Sequence, residues 1–415
     1  MILKGQHKAY KILFVILLVV LYYIVCISNP NKDFDVFIAA SNLLAEGKTC
    51  YNVWLHSGSS GLKYFYSPLF AIFLFPLRHM PQLGYNSVWF ICNLFFVWRI
   101  YRLLFYFLPL NNLSSKQLGI FLMLSFLSVA RFLFDNLQLG QMTIFMVYGA
   151  LESLCFIQKK QVIKGAALLA LIINIKIIPI AVLVLLIYKA EYRAVLFTLF
   201  FVFLSLILPI PIIGFGFNQL LLSDWWMSLS ASHANSILDD YGRQSLSSFI
   251  PALLMDTPIQ FGLKRNFIQL EANSVNFVLT VVRLLFLMLM AILLGKPFQK
   301  MKNDIDAFYS VALICLYTPL IFPHQGKYSF IYLLPAYAYV LFRLLQKDEL
   351  VFKQKKKISL VLLIVSFVLL SLSTDGLIGR RLSDLCEYLN FITIGTFILL
   401  AALVLVKQKQ LRFRE

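Results

Sequence analysis

Charge is what this sequence has least of. Charged residues make up 13% of its 415 positions, and acidic ones are scarcer still, 19 against 37 basic. Water-facing globular domains carry about a quarter charged residues, so a soluble fold is excluded. The motifs of several enzyme classes are missing too. There is no HExxH zinc pair, no P-loop, no GxGxxG after a strand and no nucleophile elbow, which argues against a zinc protease, an ATPase or a soluble-type hydrolase. The six cysteines, at 26, 50, 92, 155, 315 and 386, form no CxxC pair and no metal spacing. Four lie in apolar runs and read as packing residues. Cys50 and Cys386 fall in outer loops, where a disulfide between them is open. No repeat of about 20–50 residues is visible. The net charge is +18, but the basic residues are spread over short loops instead of one face, which excludes nucleic acid as a partner.

What the sequence has in abundance is apolar runs. Hydrophobic residues make up 60% of the chain, and runs recur at 11–28, 66–77, 84–98 (continuing to 108), 117–134, 141–157, 162–175, 177–188, 193–216, 274–294, 306–322, 328–346, 358–374 and 388–406. This is the pattern of an all-α polytopic membrane protein. Lys4, Lys8 and Lys11 precede the first run without a cleavage site, as in a retained signal anchor. The C-terminal tail is basic as well, with Lys407, Lys409, Arg412 and Arg414. The positive-inside rule puts both termini in the cytoplasm and so requires an even number of crossings. The run 66–77 carries Pro68 and Pro76 and rises about 18 Å against a hydrocarbon core of about 30 Å. It is read as interfacial or re-entrant, leaving about twelve spans in one domain over 1–415. Most Lys and Arg then fall inside. Asp33, Asp35, Asp135, Asp224, Asp239, Asp240, Asp256 and Glu271 fall outside, in a first outer loop at 29–83, a turn from Asp135 to Gln141 and a long outer loop at 217–273.

The outer face holds polar residues that packing does not require. Asp33 and Asp35 lie just past the first span. From Asp33 to Ala45 the residues Val36, Ala39, Ala40, Leu43 and Leu44 make one stripe, predicting an amphipathic helix lying on the membrane. Asp33 caps that helix or acts as a general base, and the two roles are compatible. Lys176, in Asn174-Ile175-Lys176-Ile177-Ile178-Pro179, interrupts two apolar runs. It either snorkels from a helix end or holds a lipid phosphate, and the break at Pro179 favours the second reading. His324, Lys327 and Tyr328 cluster after Pro323. His324 is a candidate proton shuttle or phosphate ligand, and Lys327 a second phosphate contact. Arg131 and Asp135, four apart, are placed to pair on one helix face. Asn136 and Gln141 beside them are candidate sugar binders, and Arg243-Gln244-Ser245 is similar in kind.

Taken in order, these pieces form a pattern. Asp33-Phe34-Asp35-Val36-Phe37 with Gly47 and Tyr51, then Tyr66-Ser67-Pro68-Leu69-Phe70 with Pro76, resembles the first-loop signature of glycosyltransferase family 87, a group within the GT-C membrane superfamily. Asn136 to Gln141, Lys176 to Pro179, Gln244-Ser245-Leu246 and Pro323 to Pro335 resemble four later motifs of that family. Arg243 stands where the family has Asn, and Lys327 where a histidine is expected before Tyr328. The resemblance implies a GT-C-like bundle in a bacterial plasma membrane, with Asp33 or Asp35 as catalytic carboxylate. It implies transfer, with inversion, of a sugar, mannose being the expected one, from a polyprenyl-phosphate-sugar donor to a lipid or glycan acceptor outside the cytoplasm. Lys176, His324, Lys327, Tyr328, Asn136, Gln141, Arg243, Gln244 and Tyr66 become candidate substrate or phosphate contacts. No cofactor is assigned; a divalent metal is left open. Two other classes compete. A lipid-linked-sugar transporter would place its charges at mid-membrane and show paired repeats. An O-antigen-type polymerase or ligase would be richer in arginine than loop 217–273, which has Arg243 and Arg265.

Overall fold

The computed structural model describes residues 15–28, 33–57, 60–234, 237, 242–256, 259–346 and 353–407. Lys4, Lys8, Lys11, the stretch 29–32, Asp239, Asp240, Lys409, Arg412 and Arg414 lie outside the described residues.

Nearly all the structure is helical. Apolar helix α1 (Val15–Ile27) leads to α2 (Asp33–Ala45), then to a small hairpin of β1 (Leu55–Ser57) and β2 (Ser60–Leu62). The strands are antiparallel, with Leu55 opposite Leu62. The apolar alternation was too short to announce this hairpin, and it is the one departure from an all-α chain among the named elements. Next come α3 (Pro68–Phe73), α4 (Gln82–Phe107), α5 (Ser115–Leu127), α6 (Ala130–Leu139), α7 (Thr143–Gln158), α8 (Val162–Ile175), α9 (Ile180–Tyr188) and α10 (Tyr192–Ile207). They are followed by α11 (Ile210–Ile213), α12 (Phe215–Ala234), α13 (Leu246–Leu254), α14 (Ala272–Leu294), α15 (Asp304–Ile321) and α16 (Leu334–Leu345). The C-terminal part holds α17 (Lys353–Phe367), α18 (Asp375–Ile378), α19 (Arg380–Tyr388) and α20 (Phe391–Leu405).

Among the described residues five helical stretches are long and apolar enough to cross a membrane, and up to seven if two bent pairs, α5–α6 and α19–α20, each count as one span. Counting runs gave about twelve. The difference has a local cause: several runs are interrupted before they reach spanning length. Lys176 leaves α8 with extended backbone and Pro179 starts α9. Gly140 ends α6 in the left-handed region, and Asn390 precedes α20 there too. The run 66–77 becomes the six-residue α3 and a 3-10 turn, too short to cross. Loop 217–273 contains α12 and α13.

The centre of the bundle is α15 and the 3-10 helix Lys327–Leu333 leading into α16, almost wholly buried, while α10 and α14 turn most of their surface outward. Outward-facing Leu196, Phe203, Phe277, Leu284 and Ile292 suit a lipid solvent. Helices α7 and α8 pack closely because Gly149 and Gly165 leave room; a Cβ on Gly165 would lie 2.6 Å from the backbone oxygen of Ser153.

Helix α2 occupies the expected residues but not the expected setting. Phe34, Val36, Phe37, Ile38, Ala40, Ser41 and Leu44 are all buried. The buried face therefore centres near Phe37, and the predicted stripe is only its flank. Two aromatics drew the helix into the protein: Phe34 stacks on Trp89 of α4 at 5.2 Å, and Phe37 meets Tyr66 edge-on at 4.5 Å. Cys50 and Cys386 are both free thiols, so no disulfide joins them.

Candidate active site

A cavity of about 360 Å³ opens where seven chain segments meet. Its polar wall includes Asp33 of α2, Lys63 and Tyr66 before α3, Gln141 between α6 and α7, Lys176 between α8 and α9, Arg243 before α13, and His324, Gln325 and Tyr328 after α15. Its apolar wall includes Leu62, Phe65, Ile177, Ile178, Trp225, Leu229 and Phe322.

Each polar group arrives there for a local reason. Asp33 and Asp35 are two residues apart on a helix, about 200° around it, and so point apart. Asp33 faces the cavity, where Gln141 donates its amide hydrogen to Oδ2. Among the described residues Oδ1 has no hydrogen-bond partner. Asp35 faces α4 instead, accepting from the Tyr85 hydroxyl at 2.8 Å and from Gln82 at 3.0 Å. Burial pushes the Asp33 carboxyl above its ordinary value, although the Gln141 hydrogen bond and the charges of Lys176 and Arg243 oppose that.

Lys176 is delivered by the break after α8. The break is pinned by the Ser67 hydroxyl, which caps α3 and donates to Asn174 at 2.7 Å, and Asn174 in turn donates to Ser205 of α10 at 2.8 Å. The ammonium lies between two aromatic faces, 5.6 Å from the Tyr66 ring and 5.7 Å from the Tyr328 ring. Protein surrounds it while its tip keeps access to the cavity, and this desolvation lowers its pKa to about 8, with Asp33 acting the other way. Burial likewise raises the Tyr66 phenol well above its ordinary value.

The turn after α15 is held tightly. His324 adopts φ +56°, a left-handed conformation that costs a non-glycine residue about 1–2 kcal/mol. Its carbonyl accepts from the Arg243 guanidinium at 3.1 Å, Gln244 N–H donates to the Gln325 carbonyl at 3.1 Å, and the Gln325 side chain donates to the Pro323 carbonyl at 2.8 Å. A Cβ on Gly326 would come within 3.0 Å of the Tyr328 ring.

The structure thus brings together seven of the sequence-derived candidates: Asp33, Tyr66, Gln141, Lys176, Arg243, His324 and Tyr328. Asp35, Asn136, Gln244 and Lys327 do not line the cavity. Asn136 donates to the Tyr328 carbonyl at 2.7 Å, and Gln244 donates to the Glu387 carbonyl at 3.0 Å. Lys327 pairs with the buried Glu387 carboxylate at 2.9 Å. Arg131 does not pair with Asp135 as expected; it reaches Glu387 at 2.5 Å, because the buried carboxylate across the bundle satisfies it better than a neighbour on its own helix. Sequence reasoning missed Glu387, which has no local motif around it. It also missed Trp225, whose indole N–H donates to the Phe65 carbonyl at 3.1 Å and so fixes an aromatic wall; its spacing with Leu229 on a helix was the available signal. Among the described residues no three His, Cys, Asp or Glu side chains come together to hold a metal.

The cations Lys176 and Arg243 and the carboxylate of Asp33 line one cavity, beside an apolar wall. That arrangement can take a phosphate, a polar acceptor and a hydrocarbon chain together. No curated protein and no solved structure matches the chain. A family comparison does: it matches residues 64–323, which include Tyr66, Asn136, Gln141, Lys176, Arg243 and Gln244 but neither Asp33 and Asp35 before them nor His324, Lys327 and Tyr328 after them. With more than half of its length matched, and with several membrane-spanning helices, the chain belongs to glycosyltransferase family 87 and is a membrane glycosyltransferase.

Proposed function

We propose that the enzyme moves a sugar, with mannose the expected one, from a polyprenyl-phosphate donor to a hydroxyl of a lipid or glycan acceptor, with inversion at the anomeric carbon. The single observation that carries this is the placement of Asp33 across one cavity from Lys176 and Arg243. The acceptor oxygen attacks the anomeric carbon while Oδ1 of Asp33 takes the hydroxyl proton. The bond from the anomeric carbon to the phosphate oxygen breaks, and its electron pair leaves with the polyprenyl phosphate. The charge that grows on that phosphate is met by Lys176 and Arg243, already in place before the reaction. Gln141 fixes the rotation of the base by holding Oδ2. His324 is a further polar contact for the phosphate or the sugar, and the rings of Tyr66 and Tyr328 support Lys176. The apolar wall, with Phe65, Trp225 and Leu229, takes the first isoprene units.

The topology that goes with this reading has about twelve crossings. Helices such as α7 and α8, about 24 and 21 Å long, complete crossings near their limit. The site then lies at the outer surface of a bacterial plasma membrane, with both termini in the cytoplasm. The test is transfer of label from polyprenyl-phosphate-mannose in membranes carrying wild type or Asp33→Asn at matched expression. Loss in the variant alone supports the base. No transfer by wild type sinks the choice of donor, and transfer that survives Asp33→Asn sinks the mechanism.

A further inference from the structure

Glu387 lies outside the cavity and outside the residues matched to the family, and it reaches three residues far from it along the chain, Arg131, Gln244 and Lys327. It is 3% exposed. Its carboxylate accepts from Arg131 at 2.5 Å and pairs with Lys327 at 2.9 Å, and its backbone carbonyl accepts from Gln244 at 3.0 Å. Arg131 is fixed a second time by the Ser373 hydroxyl at 2.9 Å.

Two of these partners are next in sequence to a group that lines the cavity, and the third lies on a helix that leads to one. Arg131 belongs to α6, whose last turn leads through Gly140 to Gln141, the residue that holds Asp33. Lys327 immediately precedes Tyr328, one of the two rings on Lys176. Gln244 immediately follows Arg243. The first two elements are also tied to each other by the Asn136 amide on the Tyr328 carbonyl at 2.7 Å. The third is tied to α20 by Thr393, which donates to the Gln244 carbonyl at 2.8 Å.

We propose that Glu387 is the positioning residue of the active site, clamping α6, the 3-10 helix Lys327–Leu333 and the Arg243–Gln244 segment in one register. Lys327 serves this clamp and does not contact the donor phosphate. The inference rests on the cavity being the site of transfer. A buried carboxylate shared by two cations couples their positions: removing it takes away the closest counter-charge of buried Arg131 and of Lys327, a third exposed, and leaves them only the more distant carboxylates of Asp135 and Asp375. A displacement of about 1 Å at groups remote from the reacting bond can cost about 10²-fold in rate.

The experiment compares wild type, Glu387→Gln, Glu387→Asp, Lys327→Met and the double variant Glu387→Gln/Lys327→Met, purified in the same detergent. The readouts are kcat and KM for polyprenyl-phosphate-mannose and hydrogen exchange of peptides covering 321–333. The double variant removes one cation along with the carboxylate and keeps the test open should Glu387→Gln fold poorly. The expected result is a drop in kcat of about tenfold or more in Glu387→Gln, with little change in donor KM and faster exchange at 321–333. Glu387→Asp recovers part of the loss, and the effects of the two single changes are strongly non-additive in the double variant. Two results overturn the proposal. One is faster exchange with unchanged kcat, which would make the clamp a stability device only. The other is a large rise in donor KM for Lys327→Met that persists in the Glu387→Gln background, which would make Lys327 a phosphate contact. Asp33→Asn is run beside them: if it keeps transfer, the cavity reading fails, whereas if it alone abolishes transfer and Glu387→Gln does not, only the clamp fails.

Discussion

Asp33 and Asp35 stand two residues apart on one helix and serve different partners: Asp33 is held by Gln141 at the cavity wall, and Asp35 by Tyr85 and Gln82 on α4. Helical geometry enforces the split. Asp33→Asn is expected to cut transfer by about 10²–10⁴-fold, the range for removal of a general base. Asp35→Asn is expected to keep transfer within a few-fold and to lower thermal stability by about 1 kcal/mol, because its weakened hydrogen bonds fasten α2 to α4. Initial rates and melting curves of the two variants check both halves.

The activity should be bell-shaped in pH, and the signs follow from the charges. On the proposed mechanism transfer needs Asp33 ionised, so activity should rise with pH on the acid side, along a limb displaced upward from the ordinary carboxylate range because burial raises this group. Transfer also needs Lys176 protonated, so activity falls as pH rises through about 8. Lys176→Arg keeps its charge throughout this range, so the alkaline limb should disappear even if the overall rate is lower. A pH–rate profile in which the alkaline limb is unchanged in Lys176→Arg would assign that limb to another group.

The two rings flanking Lys176 act through their faces. Tyr66→Phe and Tyr328→Phe should leave donor KM nearly unchanged, while Tyr66→Leu and Tyr328→Leu should raise it by about 3–30-fold, matching a cation–π term of about 0.5–2 kcal/mol. Gly326→Ala should resemble Tyr328→Leu, because its new Cβ would crowd the Tyr328 ring at 3.0 Å. Donor saturation curves distinguish this from a hydroxyl-dependent role, in which the Phe variants would be the damaged ones.

The packing of α7 on α8 sets the position of the Lys176 break, since α8 ends there. Gly165→Ala would place a methyl group 2.6 Å from the Ser153 oxygen and should destabilise the protein by about 1–3 kcal/mol. Gly119→Ala, on α5 with nothing within 4 Å, should be neutral or slightly stabilising. Melting temperatures in one detergent give the comparison.

Much of the site was legible in the sequence because membrane proteins make polar residues conspicuous. A lysine between two apolar runs, as at 176, costs enough in a bilayer that it has to be explained. The same holds for carboxylates just past a span and for Arg243 and His324 in outer segments. What stayed hidden was direction and partnership. Arg131 looked paired to Asp135 because four residues make one helical turn, yet its partner is Glu387, which reaches it only through the tertiary fold. Lys327 looked like a phosphate contact from its neighbours, and it too turns to Glu387. Trp225 was hidden because a polar-flanked stretch after a long run reads as loop although it folds as α12.

The sequence by itself determined the solvent, most of the helices and most of the polar groups of the cavity. Those depend on composition, on periodicity within a helix and on the cost of charge in hydrocarbon, all of which are local. The tertiary structure decided that α2 is sunk into the bundle, that Asp33 and not Asp35 enters the cavity, and that Lys176 lies between two rings. It also decided that Glu387 ties three distant segments together. These depend on which surfaces meet across hundreds of residues, and the energy of such a meeting belongs to the pair of surfaces and not to either stretch of sequence alone.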